Sequence, residues 1–460
     1  MHDQNSCSLD SKASWTTTFY NLLKGILIIP FFILGSTVFL QAQVSSISPY
    51  SKLGLGERAV PNFTRSMGFG DASLGLPQPL NLDASNPASY SELKLVALEA
   101  GMETGRYRQE QAEPSLTVDN NLSRFRYLSA GVPLTDWWGS AIGVQPLSFM
   151  GYRITTSSPL PSDSSVNTIY DYQGEGNLSS FFWSHGVEVA QNLSLGIRAE
   201  FIFGSLERNA SVDFSERGFF DTRIEDETTV RGLRLQYGVQ YQHPLKGQRY
   251  LGVGLSYRNA TDLDATVSRY QYTTLIGQPL DTLAGGSEQS KAITTPGEFQ
   301  IGLSYGRQHD ELVNPAWAVN LDYAYHQDGA FRDVDGNAPW TDNQSLELGG
   351  FMVPRYTFEG LNRSKSYFSL VEYRIGGYLR ETPYTVGGQQ ILDQGLTLGF
   401  GLPIRQRNMA PGEVKITSLN VALRAGQRGS LSQGGIQERY LKLFLGITFN
   451  DKWFLKYKYR

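Results

Sequence analysis

The sequence predicts an all-β chain, a closed antiparallel transmembrane β-barrel of about 14 strands with an N-terminal plug segment. Three observations predict it. Apolar and polar side chains alternate over many segments, the connections between those segments alternate between long and short, and the composition is rich in Gly, Tyr and Phe but poor in charge. The stretch from Leu233 shows the alternation most plainly. Leu233, Leu235, Tyr237, Val239 and Tyr241 fall on one face, and Arg234, Gln236, Gly238, Gln240 and Gln242 on the other. Successive strand side chains point to opposite faces, so this stretch is a strand with one greasy side and one wet side. A soluble sandwich would turn the greasy side inward; a transmembrane barrel turns it outward to lipid.

Composition narrows the choice. The 460 residues include 48 Gly, 25 Tyr and 24 Phe, and 18% are charged, against about 25% in soluble domains. Alternating barrel strands and interfacial aromatic girdles produce such a bias. Mean hydropathy is slightly negative, which excludes a helical membrane bundle. The net charge of −4 comes with no basic patch, so nucleic acid is not an expected partner.

The elements follow in chain order. One apolar run extends from Ile26 to Leu40 behind Lys24, short of the ~20 residues of a spanning helix. A basic residue, a short apolar core and a small exit residue predict a secretory signal peptide over 1–42, cleaved after Ala42. The only cysteine, Cys7, lies within it. The mature chain is therefore expected to hold no disulfide, zinc site or cysteine nucleophile, and no cofactor is predicted. Residues 43–90 are aperiodic and rich in Gly, Pro, Ser and Asn, yet carry Leu53, Leu55, Phe63, Met67, Phe69 and Leu74. Those side chains need something to pack against, so this segment is read as a plug or a periplasmic segment, lying on the periplasmic side or inside the barrel.

Residues 91–460 form the predicted barrel. Strands are expected near 93–106, 122–133, 138–154, 168–190, 193–208, 229–243, 248–260, 294–307, 315–327, 343–354, 366–380, 393–404, 414–426 and 438–449. Connections through 107–121, 155–167, 209–228, 261–293 and 328–342 are long and polar. Those at Pro133–Trp137, Gln191-Asn192 and Pro244–Gln248 are short. Long outer loops and short periplasmic turns account for this parity, and a sandwich does not. The tail Trp453–Arg460 still alternates and is either a closing strand or a short periplasmic tail. With the predicted leader, the barrel places the protein in the outer membrane of a Gram-negative bacterium, with outer-membrane lipid around it.

Charged residues of both signs fall on the non-lipid face: Arg198, Glu200, Arg234, Arg258, Asp322, Glu372 and Arg374. Two readings stay open for these lumen-facing residues, mutually satisfied ion pairs that fill the barrel or the lining of a substrate path. The third predicted strand contains Gln145-Pro146, and its apolar phase slips there, from Trp138, Ile142 and Val144 to Leu147 and Phe149. Proline cannot donate to a ladder and is confined to edges and bulges. The slip marks either a strand end below an outer loop or a kink that opens a gap in the wall.

Other motifs carry less. Gly302-Leu303-Ser304-Tyr305-Gly306 has the spacing of a nucleophile elbow but sits within an alternating strand, where no strand-to-helix turn is available. Enzymatic activity is not expected. Asp333, Asp335, Gly336, Asn337 and Asp342 share one loop; they lack the closing Glu of a full Ca²⁺ loop and read as solvated turn residues. Asn86-Pro87-Ala88 is a turn before the first strand.

At these last residues the chain resembles the FadL-type outer-membrane transport family, a family of hydrophobic-compound and long-chain fatty acid transporters. The shared features are a Gly-rich stretch, here Met67–Ala72, then the Asn86-Pro87-Ala88 triplet before the first strand. Asn192–Ile197 followed by Phe203-Gly204 resembles the family's turn into the fifth strand. Tyr373–Tyr378, Gly395–Pro403 and Asn450–Phe454 are similar in the same general way. The resemblance implies a fourteen-stranded barrel closed by an N-terminal plug. It also implies hydrophobic small molecules as substrates, entering from outside and leaving sideways at a kinked third strand, where Gln145 and Pro146 lie. The segment before Tyr90 is fairly short and the 107–121 connection is polar, two departures from a family with a large greasy outer capture site for fatty acid.

Two functions are therefore expected. The first is passive transport of small hydrophobic compounds with lateral exit near Pro146. The alternative is a non-transporting structural or accessory barrel subunit, with protein partners in an outer-membrane assembly or secretion complex. A transporter needs a continuous apolar path to the gap; a lumen packed with ion pairs argues for the alternative.

Overall fold

The computed structural model describes residues 48–160, 162–214, 219–275, 278–308, 315–354, 367–404, 415–431 and 435–452. The expected leader with Cys7 and the tail Trp453–Arg460 lie outside the described residues. Glu57–Arg58 form a short strand, β1. The wall then follows as β2 (Val96–Gln111), β3 (Leu116–Pro133), β4 (Trp138–Leu160), β5 (Asp163–Ala190), β6 (Leu193–Phe214), β7 (Asp221–Leu245) and β8 (Arg249–Arg258). After β9 (Thr261–Leu275) and β10 (Gln278–Thr295) come β11 (Glu298–Gln308), β12 (Pro315–His326), β13 (Asn343–Met352) and β14 (Glu372–Val386). The last three are β15 (Gln389–Ile404), β16 (Lys415–Arg428) and β17 (Ile436–Asp451).

Fourteen of these strands close a ring. Antiparallel neighbours run from β2 to β8, step directly to β11, continue to β17, and return from β17 to β2. Each expected strand has its counterpart in the ring. The connection expected over 261–293 is instead the β9–β10 hairpin, whose first strand pairs with β7 from Asp221↔Thr274 to Arg231↔Asp264. Its polar residues conceal the strand from a reading of apolar alternation. The connections at 107–121, 155–167 and 209–228 shorten because the strands overrun them, β5 with 28 residues, β6 with 22 and β7 with 25, whereas 328–342 stays a loop between β12 and β13. Crossing the hydrocarbon takes only ~9–11 residues, so this side of the wall rises past the membrane.

The lipid band is visible on the outer face. On β6, Leu195, Ile197, Phe201 and Phe203 are exposed; beyond them the same face carries Ser205, Glu207, Asn209 and Ser211. On β5, exposed Phe181 and Trp183 give way to Ser179, Asn177 and Glu175. Trp137, Trp138, Trp183 and His185 cluster near the short turns, with ring centroids 4.8–6.2 Å apart, an interfacial aromatic belt.

The core lies inside the ring and has two parts. Towards the hairpin-extension end, Tyr50, Met150, Leu178, Ile202, Leu206, Val230, Leu263, Ile293, Phe331, Trp340, Tyr384 and Ile391 form an apolar cluster. Phe331 stacks on Trp340 with centroids 3.8 Å apart. Towards the short-turn end the interior is occupied by residues 59–95 and the charged inner face of the wall.

Candidate functional site: a filled lumen and an open seam

Residues 48–95 descend inside the ring. At the hairpin-extension end, the Tyr50 hydroxyl donates to the Ile436 carbonyl at 2.6 Å, and its ring stacks on Tyr384. Phe63 precedes a one-turn helix, Thr64–Met67, and stacks on Tyr127 of β3 at 4.2 Å. A left-handed turn at Gly70 and Asp71 follows, with φ of 80° and 72°. At the short-turn end, Asn86 opens a 3-10 turn, Pro87–Glu92. Its side-chain oxygen accepts from the Ala88 amide at 3.0 Å, and its amide group donates to the carbonyls of Leu74 at 3.0 Å and Val239 at 3.1 Å. The Asn86-Pro87-Ala88 triplet is seated directly on the wall. A Cβ on Gly196 would meet the Ala88 amide nitrogen at 2.2 Å, and one on Gly238 would meet the Asn86 side-chain oxygen at 2.2 Å. Part of the glycine bias thus reflects the approach of this segment's backbone to the sheet.

Charge holds the segment to the wall at successive levels. Arg58 pairs with Asp328 at 2.6 Å, and Glu57 with Arg428 at 2.9 Å. Arg65 and Arg374 both bind Glu372, at 3.1 and 2.8 Å. The outer carboxylate oxygen of Asp71 accepts from Arg380 at 2.6 Å and Arg424 at 2.5 Å. Asp322 accepts from the Ser73 and Leu74 amides at 2.7 and 2.9 Å. Arg198 donates to the Ala84 carbonyl at 2.6 Å and the Tyr90 hydroxyl at 3.0 Å. Glu200 pairs with Arg234 at 2.7 Å, and Arg258 binds Glu298. All seven charges expected to face the lumen lie on its inner side, six of them buried and Glu372 half-buried. Burial by itself would raise the Asp71 carboxyl, but Arg424 and Arg380 outweigh it and hold the pKa down at about 2. Such a carboxylate stays ionised because two guanidiniums replace its lost water.

Between the segment and the wall remains a cavity of about 220 Å³. Glu57, Asp71, Glu200, Arg258, Asp322 and Arg380 are among its lining groups. Leu55, Val60, Pro146, Leu147 and Trp340 line it beside these charges, and it reaches Gln145 and Pro146 at the break in β4.

Among the described residues, one pair of wall neighbours parts long before its strands end. β3 and β4 pair only from Pro133↔Gly139 to Leu128↔Val144. Beyond Val144 come Gln145 and Pro146. Both strands are irregular at this level, with a register shift on β4 between Pro146 and Ser148 and one in the β2–β3 ladder beside Arg126. Pro146 thus falls where β4 has no β3 bond to lose. The freed edge of β4 is taken by the chain itself: Glu57 pairs with Phe149 and Arg58 with Ser148, and the Ala59 amide donates to the Leu147 carbonyl at 2.9 Å. From β3, Arg126 reaches the Val60 carbonyl and Arg124 covers the Phe149 ring at 3.9 Å. Among the described residues, the corresponding edge of β3 from Leu116 to Tyr127 has no strand partner.

The remaining motifs take structural places. Ser304 sits inside β11, 3.4 Å from the Tyr250 hydroxyl. Asp333 accepts from the amides of Asp335 and Asn337 at 2.9 and 2.8 Å, Asp335 pairs with Lys291 at 2.7 Å, and Asp342 accepts from the Gly329 amide at 2.8 Å. These carboxylates tie their own loop together. The Asp71–Arg380–Arg424 clasp escapes sequence reading, although the Gly-rich turn that presents Asp71 is visible there.

No curated protein matches the chain. Among solved structures, a FadL homologue from Pseudomonas aeruginosa superposes with a TM-score of 0.54 at 12% identity, over 87% of this chain and 100% of that one. The toluene transporter TodX from Pseudomonas putida gives 0.52 at 12% identity, over 86% and 100%. At such identities the likeness is one of fold alone, that of the FadL-type barrel. The family model described as BamG matches residues 22–460, and the chain therefore belongs to the BamG family of outer-membrane barrels.

Proposed function

We propose that this barrel is a non-transporting accessory subunit of an outer-membrane assembly complex. The observation that carries the reading is the filled lumen. An apolar core occupies the hairpin-extension half, and ion pairs of Glu57, Arg58, Arg65 and Asp71 fasten the segment to the wall and to the β12–β13 loop. The space left over is about 220 Å³ and mixes apolar groups with carboxylates and guanidiniums, so a hydrophobic compound entering it also takes water from buried charges. Membership of the BamG family supports the same reading. The protein's work then lies on its surfaces, towards protein partners, with lipid around the band.

One observation favours a second reading, passive transport of small hydrophobic compounds with lateral exit near Pro146. The β3–β4 ladder ends at Val144, next to the expected gap. The solved TodX structure is that of a toluene transporter, and the resemblance extends the class of substrate to this chain only as a proposal. Two measurements on one strain separate the readings. The tagged chain, purified from the outer membrane in mild detergent, is expected to bring stoichiometric partners, and its deletion is expected to leave uptake of toluene-sized compounds unchanged. A monomeric chain together with lost uptake reverses the conclusion.

A further inference from the structure

We propose that the open edge of β3, Leu116 to Phe125, receives an extended strand from a partner polypeptide, added antiparallel beside it on the hairpin-extension side of the membrane. It rests on the subunit reading in needing a partner, and adds where that partner binds and in what conformation.

A barrel normally leaves no edge, because every strand has two neighbours. Here β3 has β2 on one side along its length, from Ala97↔Gly131 to Gln111↔Leu116, but loses β4 after Leu128. The backbone groups that would have met β4 face an open seam. The same seam already shows what such an edge accepts, since the matching edge of β4 carries the chain's own Glu57–Arg58 strand. Strand addition to a sheet edge is a general mode of recognition, with main-chain bonds for affinity and alternate side chains for specificity.

The side chains define the occupant. Leu116 and Val118 project to the inner side of the β2–β3 hairpin and are 54% and 38% exposed, because no strand covers them there. On the outer side Thr117, Asp119, Asn121 and Ser123 are exposed and polar, so this reach of the edge stands above the lipid band. A strand arriving through water, with apolar residues at alternate inward positions and polar residues between them, covers Leu116 and Val118 and satisfies the edge. Lower down, Arg124, Arg126 and the Val60 carbonyl close the seam from within, which limits the added strand to the part above Phe125.

Hydrogen exchange of the isolated chain and of the complex purified from the outer membrane tests this. Alternate amides of Leu116–Phe125 are expected to exchange freely in the isolated chain and to slow by about tenfold or more in the complex. The double substitution Leu116→Ser with Val118→Ser is expected to leave the barrel's heat-modifiable migration intact while most of the partner is lost from the purification. A complex that forms with this edge unprotected overturns strand addition but leaves the subunit reading standing. Protection already present in the isolated chain also overturns it. Failure to recover any complex removes both.

Discussion

The two halves of the lumen are filled differently: one by a single apolar cluster, the other by buried charges set among smaller apolar contacts such as Phe63–Tyr127 and Phe69–Phe351. Near the hairpin-extension end, Phe331, Trp340, Tyr384 and Tyr50 pack against apolar wall residues. Nearer the short turns, the inner wall is charged and meets backbone and side chains of residues 57–92 through ion pairs and hydrogen bonds. The difference follows from what each half must cover. An irregular segment running through a barrel brings amide and carbonyl groups that have lost water, and each needs a partner. Asp322 takes the Ser73 and Leu74 amides, and Arg198 takes the Ala84 carbonyl. Where the loop side chains Phe331 and Trp340 enter the barrel, apolar packing does most of the filling, with Asp328 paired to Arg58 beside them. Charge in this lumen is therefore the complement of a fixed segment.

Substitutions on either side can break that contrast. The largest effect is expected for Asp71→Ala, which leaves Arg380 and Arg424 buried without their shared carboxylate. Removing one partner of a buried ion pair costs about 3–5 kcal/mol, and limited proteolysis of residues 60–80 should register it as increased cleavage. Phe331→Ala should cost about 3–4 kcal/mol, as truncation of a buried aromatic does, measured as a lowered unfolding midpoint in detergent. If Phe331→Ala also exposes residues 60–80, the two halves are coupled and the contrast fails.

Acid sharpens the same comparison. The Asp71 carboxyl is held at about 2 in the fold, below the ~3.9 of an unfolded Asp. A depressed carboxylate contributes stability above its unfolded pKa and loses it as pH falls towards the folded one. Protease resistance of residues 60–80 should thus decline between about pH 4 and pH 2, while near-ultraviolet dichroism of the Phe331–Trp340 stack holds longer. Asn86→Ala removes one cap and two bonds to carbonyls and should cost about 1–2 kcal/mol, read as a lower midpoint. The smallest effect is expected at Arg153, exposed and paired with Asp171 at 3.0 Å. Arg153→Ala should change stability by about 0–1 kcal/mol.

What could be read in advance follows the same physics. The fourteen ring strands were legible because lipid demands apolar side chains on one face, as in Leu233 to Tyr241. The β9–β10 hairpin was not, because Asp262, Asp264, Ser268 and Arg269 lie where water replaces lipid. Asn86 was legible as part of a turn before the first strand, though not as the cap of one. The clasp on Asp71 was not, because its partners Arg380 and Arg424 lie 309 and 353 residues away and only closure of the ring brings them together. Pro146 could be flagged from its phase slip, whereas the use of Glu57–Arg58 to cover the neighbouring edge has no signature in two residues.

The path of residues 48–95 also sets an order of assembly. This stretch enters at the hairpin-extension end and leaves at the short-turn end, and the first wall strand, β2, begins where it ends. The ring closes when β17, the last described strand, meets β2. A ring that closed early would have to be threaded afterwards by a stretch carrying Arg58, Arg65 and Asp71 through a lumen of opposing charges. The stretch must instead be laid against the growing wall while the β2–β17 seam is still open. Closure of the β2–β17 seam then encloses a centre already in place.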